Sequence, residues 1–162
     1  MSYPEPRYRG ATGEVSATFR PASQPAELPY RSGNAVHYLA TGAATAGRFG
    51  LYRWDFGAQP SGPSAHFHRS FSESFFILSG TVRLYDGREW VDATAGDFSY
   101  VPEGGIHAFR NESGEPASML ILFAPGAPRE QYFETLAAQA GRPPMSEEER
   151  AEFYLRHDNI WI

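Results

Sequence analysis

A series of short strand-like runs, each ended by a turn signal, extends from residue 34 to residue 123. Apolar and polar residues alternate within the runs, as expected for β-strands that bury one face. The turn signals include Asp86-Gly87, a dipeptide typical of β-hairpins, and Ser79-Gly80. The candidate strands are residues 35–40, 48–56, 65–69, 73–79, 81–85, 89–93, 98–101, 107–110 and 117–123. Such a series predicts an all-β sandwich or barrel.

The segments before and after this series have other patterns. The first is rich in proline and predicts an extended arm with one strand at residues 14–20. The last predicts two helices, one over residues 129–140 and one that starts with a capping box at Ser146. The first helix either caps the mouth of the barrel or packs outside it, and we favour the outside position. We expect one domain with three parts: an arm at 1–33, a barrel at 34–124 and a helical tail at 125–162.

The composition excludes several classes of function. The chain has 162 residues and a formal net charge of −5, without a cluster of arginines, which disfavours binding to nucleic acid or to an anionic membrane. It contains no cysteine and no lysine, so thiolate chemistry, cysteine-based metal sites and Schiff-base chemistry are excluded. No apolar run reaches the length of a membrane span, and the polar N-terminus does not resemble a signal peptide. We expect a cytoplasmic protein.

Three of the five histidines carry the strongest chemical signal. His66 and His68 are two residues apart, so a strand projects both to the same face. Glu73 on the next strand and His107 on a later one join them if those strands turn the same face inward. Three imidazoles and one carboxylate suit a divalent transition metal and leave coordination positions open for catalysis. A lone buried histidine is more often a hydrogen-bonded core residue, so the prediction depends on the whole set.

Two longer motifs contain these four residues. They are His66-x-His68-x4-Glu73-x6-Gly80 and Gly96-x5-Pro102-x-Gly104-x2-His107-x3-Asn111. Both resemble the motifs of the cupin superfamily, over roughly residues 45 to 125, with one departure at Pro60, where the family usually has glycine. The resemblance implies a double-stranded β-helix, the cupin jelly-roll barrel. It also implies that the four residues are the ligands of one divalent transition metal, which is Ni, Fe, Mn, Co, Cu or Zn.

A narrower resemblance connects residues 72–84, residues 96–102 and the tail after Ala124 with the quercetinase-like monocupins, which are flavonol dioxygenases. It implies an oxidoreductase similar to quercetin 2,3-dioxygenase, acting on an aromatic or enolic small molecule with dioxygen. On this resemblance, Glu73 takes the hydroxyl proton of the substrate as a mobile general base, or else serves only as a permanent metal ligand.

Aromatic residues near the expected mouth of the barrel are candidate walls of a substrate pocket. They are Tyr52, Trp54, Phe71, Phe75, Phe109 and Phe123. Barrel interiors are filled with aromatic side chains in any case, so each of these residues is alternatively an ordinary core residue.

Two other classes of function remain open. One is non-redox chemistry, such as that of an isomerase or a polyketide cyclase, which some small cupins resemble. The other is a non-catalytic module that binds a metal or a ligand. For all three classes, the arm and the open edges of the sheets predict a homodimer.

Overall fold

Residues 2–162, which the computed structural model describes, form eleven short β-strands and two α-helices. The strands are β1 (Leu28–Pro29), β2 (Ala35–Ala40), β3 (Gly50–Phe56), β4 (His66–Phe67), β5 (Ser72–Ser79), β6 (Thr81–Tyr85), β7 (Trp90–Thr94), β8 (Phe98–Val101), β9 (Ala108–Arg110), β10 (Ala117–Ala124) and β11 (Ile160–Trp161). The helices are α1 (Glu130–Gln139) and α2 (Glu147–Arg156).

The strands form three antiparallel sheets. The largest has the order β1-β2-β3-β10-β5-β8, and the others are β7-β6-β9 and β11-β4. Isolated bridges join Ser61 to Asn111 and His66 to His107. The architecture is the all-β jelly-roll barrel with two C-terminal helices that the sequence predicts.

Alternation along the strands builds the interior of the barrel. In β3 every second residue is buried, including Tyr52 and Trp54. Strand β10 places Ile121 opposite Tyr52 and Met119 opposite Trp54. Ile121 and Met119 are fully buried. Burial of such side chains contributes about 1.5–3 kcal/mol each. The same inward face of β5 carries Glu73, so a carboxylate enters an otherwise apolar interior, where it requires polar partners.

Gly80 makes the tight turn between β5 and β6. Its φ is +70°, and an added Cβ would lie 2.6 Å from the carbonyl oxygen of Pro116. Only glycine meets both conditions without strain. Gly96 and Gly104 also have positive φ, of 96° and 80°. The glycines of both motifs therefore have backbone angles that other residues rarely adopt.

The N-terminal arm contains less regular structure than predicted. Residues 14–20 form no strand, and Val15 and Phe19 are exposed to solvent. The prediction of a strand there is wrong because the segment pairs with no neighbouring strand, and an unpaired strand is not stable in water. Among residues 2–33, the arm joins the large sheet through β1, which pairs with β2, and through Glu27, whose carboxylate accepts the backbone N–H of Tyr38 (2.9 Å).

The tail confirms both predicted helices and adds one strand. Helix α2 begins with the predicted capping box, in which Ser146 and Glu149 hydrogen-bond each other's backbone. After α2 the chain turns back and forms β11, which was not predicted and which pairs Trp161 with His66 on β4. The end of the tail therefore lies against a strand that carries a candidate ligand. Neither helix of the described chain has the length and apolar character needed to cross a membrane.

Candidate metal centre

The four candidate ligands meet inside the barrel. His66 and His107 face each other across their bridge, with backbone N–H to O distances of 3.0 and 2.9 Å. One nitrogen or oxygen atom from each of His66, His68, Glu73 and His107 lies within 4.8 Å of the others, and all four residues are at most 4% exposed. The structure therefore brings the four candidate ligands together in one buried cluster.

Each imidazole is oriented by a hydrogen bond at Nδ1. The acceptors are the carbonyl oxygens of Ser64 for His66 (2.9 Å), of Gly105 for His107 (2.9 Å) and of Asp158 for His68 (2.6 Å). A carbonyl oxygen can only accept, so Nδ1 carries the hydrogen and each neutral ring keeps its lone pair on Nε2. Backbone hydrogen bonds of this kind fix a histidine for metal binding through Nε2.

Glu73 occupies the centre of this arrangement. Its Oε2 lies 3.1 Å from Nε2 of His68 and 2.9 Å from Nε2 of His107. With the rings neutral, lone pairs face a carboxylate oxygen, and this contact is attractive only when a proton or a metal ion lies among these atoms. Three neutral imidazoles and one carboxylate fit a divalent transition metal. The cluster can therefore hold such an ion.

Burial and mutual contacts determine the charges in the cluster. Burial and the neighbouring His107 lower the pKa of His66 to about 3, so that ring is neutral at pH 7. Burial alone would raise the pKa of Glu73, but the contacts of its Oε2 with His107 and His68, which are attractive when those rings are protonated, outweigh burial and hold that pKa well below its usual value. Burial lowers the pKa of His107, and the contact with Glu73 raises it to a greater extent. Glu73 is thus an anion beside a neutral His66.

Asp158, between α2 and β11, supports His68 and the backbone that follows it. Its φ of 53° lies in the left-handed region, which Asp and Asn tolerate better than most residues. Its carbonyl accepts the Nδ1–H of His68, and its carboxylate accepts hydrogen bonds from the backbone N–H groups of Arg69 (2.8 Å) and Ser70 (2.7 Å) and from the Ser70 hydroxyl (2.6 Å). One residue therefore fixes a ligand ring and also the loop that leads to Glu73.

A cavity of about 270 Å³ is lined by His66 and Glu73 and extends away from the cluster. Of the aromatic residues expected to form the pocket, Trp54 and Phe109 line this cavity. The other four do not line it and are core residues, at most 2% exposed: Tyr52, Phe71, Phe75 and Phe123. They turn inward as predicted, but they pack on each other or on the histidines. Phe71, for example, stacks on His68 with ring centroids 4.2 Å apart.

The tail supplies the outer walls of the cavity. The lining residues from this segment are Arg129, Tyr132, Phe133, Leu136, Tyr154, Asn159 and Trp161. We expected α1 to pack outside the barrel, and this expectation is wrong. Phe133 of α1 packs edge-on against Trp54 in the barrel interior, with ring centroids 5.2 Å apart. The alternative is correct: α1 covers the mouth.

The central part of the chain matches a known family. Residues 53–123 match the family model of the cupin domain. Quercetin 2,3-dioxygenase from Bacillus subtilis is 30% identical over 71 residues, which are 44% of this chain and 20% of that protein. The chain spans 49% and 20% of the lengths of the two curated relatives that it matches.

Solved structures with the same fold cover more of the chain. A RmlC-like cupin from Shewanella frigidimarina has a TM-score of 0.58 at 19% identity, over 72% of this chain and 96% of that one. The polyketide cyclase RemF from Streptomyces resistomycificus has a TM-score of 0.50 at 19% identity, over 60% of this chain and 68% of that one. At these identities the likeness is one of fold, so the chemistry has to be argued from the site itself.

Proposed function

We propose that the protein, which contains a segment that matches the cupin domain and is similar in sequence to a quercetin dioxygenase, is a metal-dependent dioxygenase acting on an aromatic or enolic small molecule. One observation carries the proposal: four ligand atoms converge beside a cavity with aromatic walls. His66, His68, Glu73 and His107 would hold a divalent ion, which would supply Lewis acidity and a template for the substrates.

Glu73 is the proposed general base. Its Oε2 contacts His68 and His107, whereas its Oε1 has no hydrogen bond within residues 2–162. Because Glu73 also lines the cavity, Oε1 is the atom available to receive the hydroxyl proton of an enolic substrate. The lowered pKa makes Glu73 a weak base. Proton transfer therefore requires that the positive charge of the occupied site lower the pKa of the substrate hydroxyl as well.

The aromatic walls support a flat substrate. Trp54 lies edge-on to Phe133 and to Phe109, with ring centroids 5.2 and 6.2 Å away. Rings in such positions contact a planar molecule over a large area and exclude water from the reacting atoms. The walls thus favour an aromatic or conjugated enol over a flexible polar substrate.

Oxygen consumption tests this function. Protein loaded in turn with Fe, Mn, Co and Ni is mixed with a panel of flavonols in an oxygen-electrode cell, and product is followed by absorbance. We expect at least one metal form to consume oxygen and convert a flavonol. If no metal form does either, the dioxygenase proposal fails. Turnover that persists under strict anaerobiosis instead indicates an isomerase or a cyclase, and tight binding without product indicates a non-catalytic module.

The variant Glu73→Gln separates the two roles of this residue. Retained metal with lost activity supports the general base, because the amide still offers an oxygen ligand but accepts no proton. Lost metal supports a role as ligand alone. Glu89→Gln, at an exposed position in the β6–β7 turn, is the matched control and is expected to change neither metal content nor activity.

A further inference from the structure

Arg129, just before α1, is buried in the cavity wall without an acidic partner. It is 4% exposed and lines the same cavity as Glu73. Its guanidinium donates to the carbonyl oxygen of His157 and to Oδ1 of Asn159, both at 2.8 Å, and both acceptors are neutral. Its Nε–H has no hydrogen-bond partner. Within the described chain, no ion pair joins Arg129 to a carboxylate, so its charge is not neutralised locally.

The other neighbours of Arg129 do not supply a negative charge. The guanidinium carbon lies 4.0 Å from the ring centroid of Tyr132 and 5.4 Å from that of Phe133. Such cation–π contacts stabilise a buried cation without cancelling its charge. Glu130 is adjacent in sequence, but its buried Oε1 has no hydrogen-bond partner, and no ion pair in the described chain joins it to Arg129. Glu73 is therefore the carboxylate whose charge acts most on Arg129.

Metal binding would leave the positive charge of Arg129 without compensation. Glu73 offsets one of the two charges of a divalent ion, so its own charge is no longer available to Arg129. Two positive charges then remain in a buried cavity with mostly aromatic walls, where isolated charges are costly. The indole N–H groups of Trp54 and Trp161, which line the same cavity, also lack acceptors. A ligand with anionic oxygen atoms would both offset the positive charge and accept hydrogen bonds from the two indole N–H groups.

We propose that the natural ligand of this cavity is a planar organic anion with two oxygen-bearing groups. One group, an enol or hydroxyl, lies at the metal cluster, and the other, a carboxylate, pairs with Arg129. This inference rests on the proposed function for the presence of a metal, and it narrows the substrate class from aromatic or enolic molecules to aromatic or enolic acids. A guanidinium suits this role because its planar fork matches the geometry of a carboxylate.

A set of hydroxamate probes tests the second group while the metal-binding group stays constant. Zinc-loaded protein is titrated with benzohydroxamate and with its 3-carboxy and 4-carboxy derivatives, and binding is followed by calorimetry. We expect at least one carboxylated isomer to bind about tenfold more tightly than the parent, as one new charge-assisted contact would produce. If both isomers bind no more tightly than benzohydroxamate, or if none of the three binds, the inference is overturned.

Variants of Arg129 assign the gain to this residue. The carboxylate gain is the increase in affinity of a carboxylated probe over benzohydroxamate. We expect Arg129→Met to abolish this gain and Arg129→Lys to retain part of it. The exposed control Arg142→Met is expected to retain all of it. A gain that persists in Arg129→Met overturns the inference. Because Arg129→Met also removes two hydrogen bonds to the tail, its fold is checked by near-ultraviolet circular dichroism and by zinc content. If it does not fold, the wild-type comparison and Arg129→Lys still decide the outcome.

Zinc and hydroxamates involve no oxygen chemistry, so the two proposals fail separately. A carboxylate gain in a protein that consumes no oxygen with any acid or flavonol refutes the dioxygenase and retains the anion site. Oxygen consumption with neutral flavonols, without a carboxylate gain, refutes the anion site alone.

Discussion

Replacement of Asp158 is expected to weaken metal binding although Asp158 is not a metal ligand. Its carbonyl orients His68, and its carboxylate holds the N–H groups of Arg69 and Ser70 in the loop between two ligands. We compare the variants Asp158→Asn, Asp158→Gly and Asp158→Ala. All three variants remove the carboxylate. Asparagine and glycine still tolerate the left-handed backbone angle, whereas alanine does not.

The structure gives an order of effects. The Asp158 carboxylate accepts three hydrogen bonds but is partly exposed, so we assign their joint loss about 1–3 kcal/mol rather than the sum of three buried bonds. An alanine at a φ of 53° adds strain of about 1–2 kcal/mol. Asp158→Ala should therefore destabilise the protein by about 2–5 kcal/mol. Asp158→Gly should cost about 1–3 kcal/mol, and Asp158→Asn, which keeps one acceptor oxygen, about 1 kcal/mol.

Metal affinity should fall in the same order. Loss of the partner that orients a ligand histidine typically lowers metal affinity 10- to 100-fold. Because the carbonyl remains in all three variants and only its position is loosened, we expect about tenfold for Asp158→Ala and less for Asp158→Asn. Chelator competition measures the affinity, and thermal unfolding measures the stability.

A second aspartate provides the control. Asp86 also accepts two backbone N–H groups, those of Arg88 (2.8 Å) and Glu89 (2.9 Å), but it lies in the exposed hairpin between β6 and β7. Asp86→Ala should leave metal affinity unchanged. If the Asp158 variants lose stability but bind metal as tightly as the wild type, Asp158 does not position His68, and the reasoning is refuted.

Three further outcomes are expected. Gly80→Ala should lower the free energy of unfolding in urea by about 2 kcal/mol or more, because of its positive φ and the 2.6 Å approach to Pro116, and by more than Gly114→Ala, where no atom lies within 4 Å of the added Cβ. A divalent metal at 100 times its Kd should stabilise the fold by about 2.7 kcal/mol in a thermal melt, and an unchanged melting temperature would contradict the metal site. We also propose a homodimer through the edge strand β8, whose Phe98 and Tyr100 are exposed. Light scattering should show a dimer that Phe98→Glu dissociates, and a monomeric wild type would count against it.

The four candidate ligands could be predicted from the sequence because the spacing of their motifs carries the signal. A two-residue repeat places His66 and His68 on one face of a strand, and the family motifs supply the spacing to Glu73 and His107. The turn glycines could be predicted because a positive φ is a property of one residue and its immediate neighbours. These parts of the site depend little on how distant segments dock.

The walls and supports of the site could not be predicted, because they depend on long-range docking. The carbonyl that orients His68 lies 90 positions away, at Asp158, and β11 is only two residues long. No periodicity is visible in so short a strand. Alternation also gives the same inward direction to Tyr52 and Trp54, and only their height along the barrel decides which of them reaches the cavity.

The origin of the cavity walls has a consequence for protein engineering. The candidate ligands lie on the barrel, whereas Leu136 and Tyr154, on α1 and α2, line the outer part of the cavity. Neither residue hydrogen-bonds to a ligand imidazole, because the orienting carbonyls belong to Ser64, Gly105 and Asp158. Randomised libraries restricted to such positions on the two helices would therefore vary the size and shape of accepted molecules while the metal affinity stays constant. Under the proposed function, substitutions at these two helical positions are therefore expected to change ligand selection without removing any contact that orients a candidate ligand.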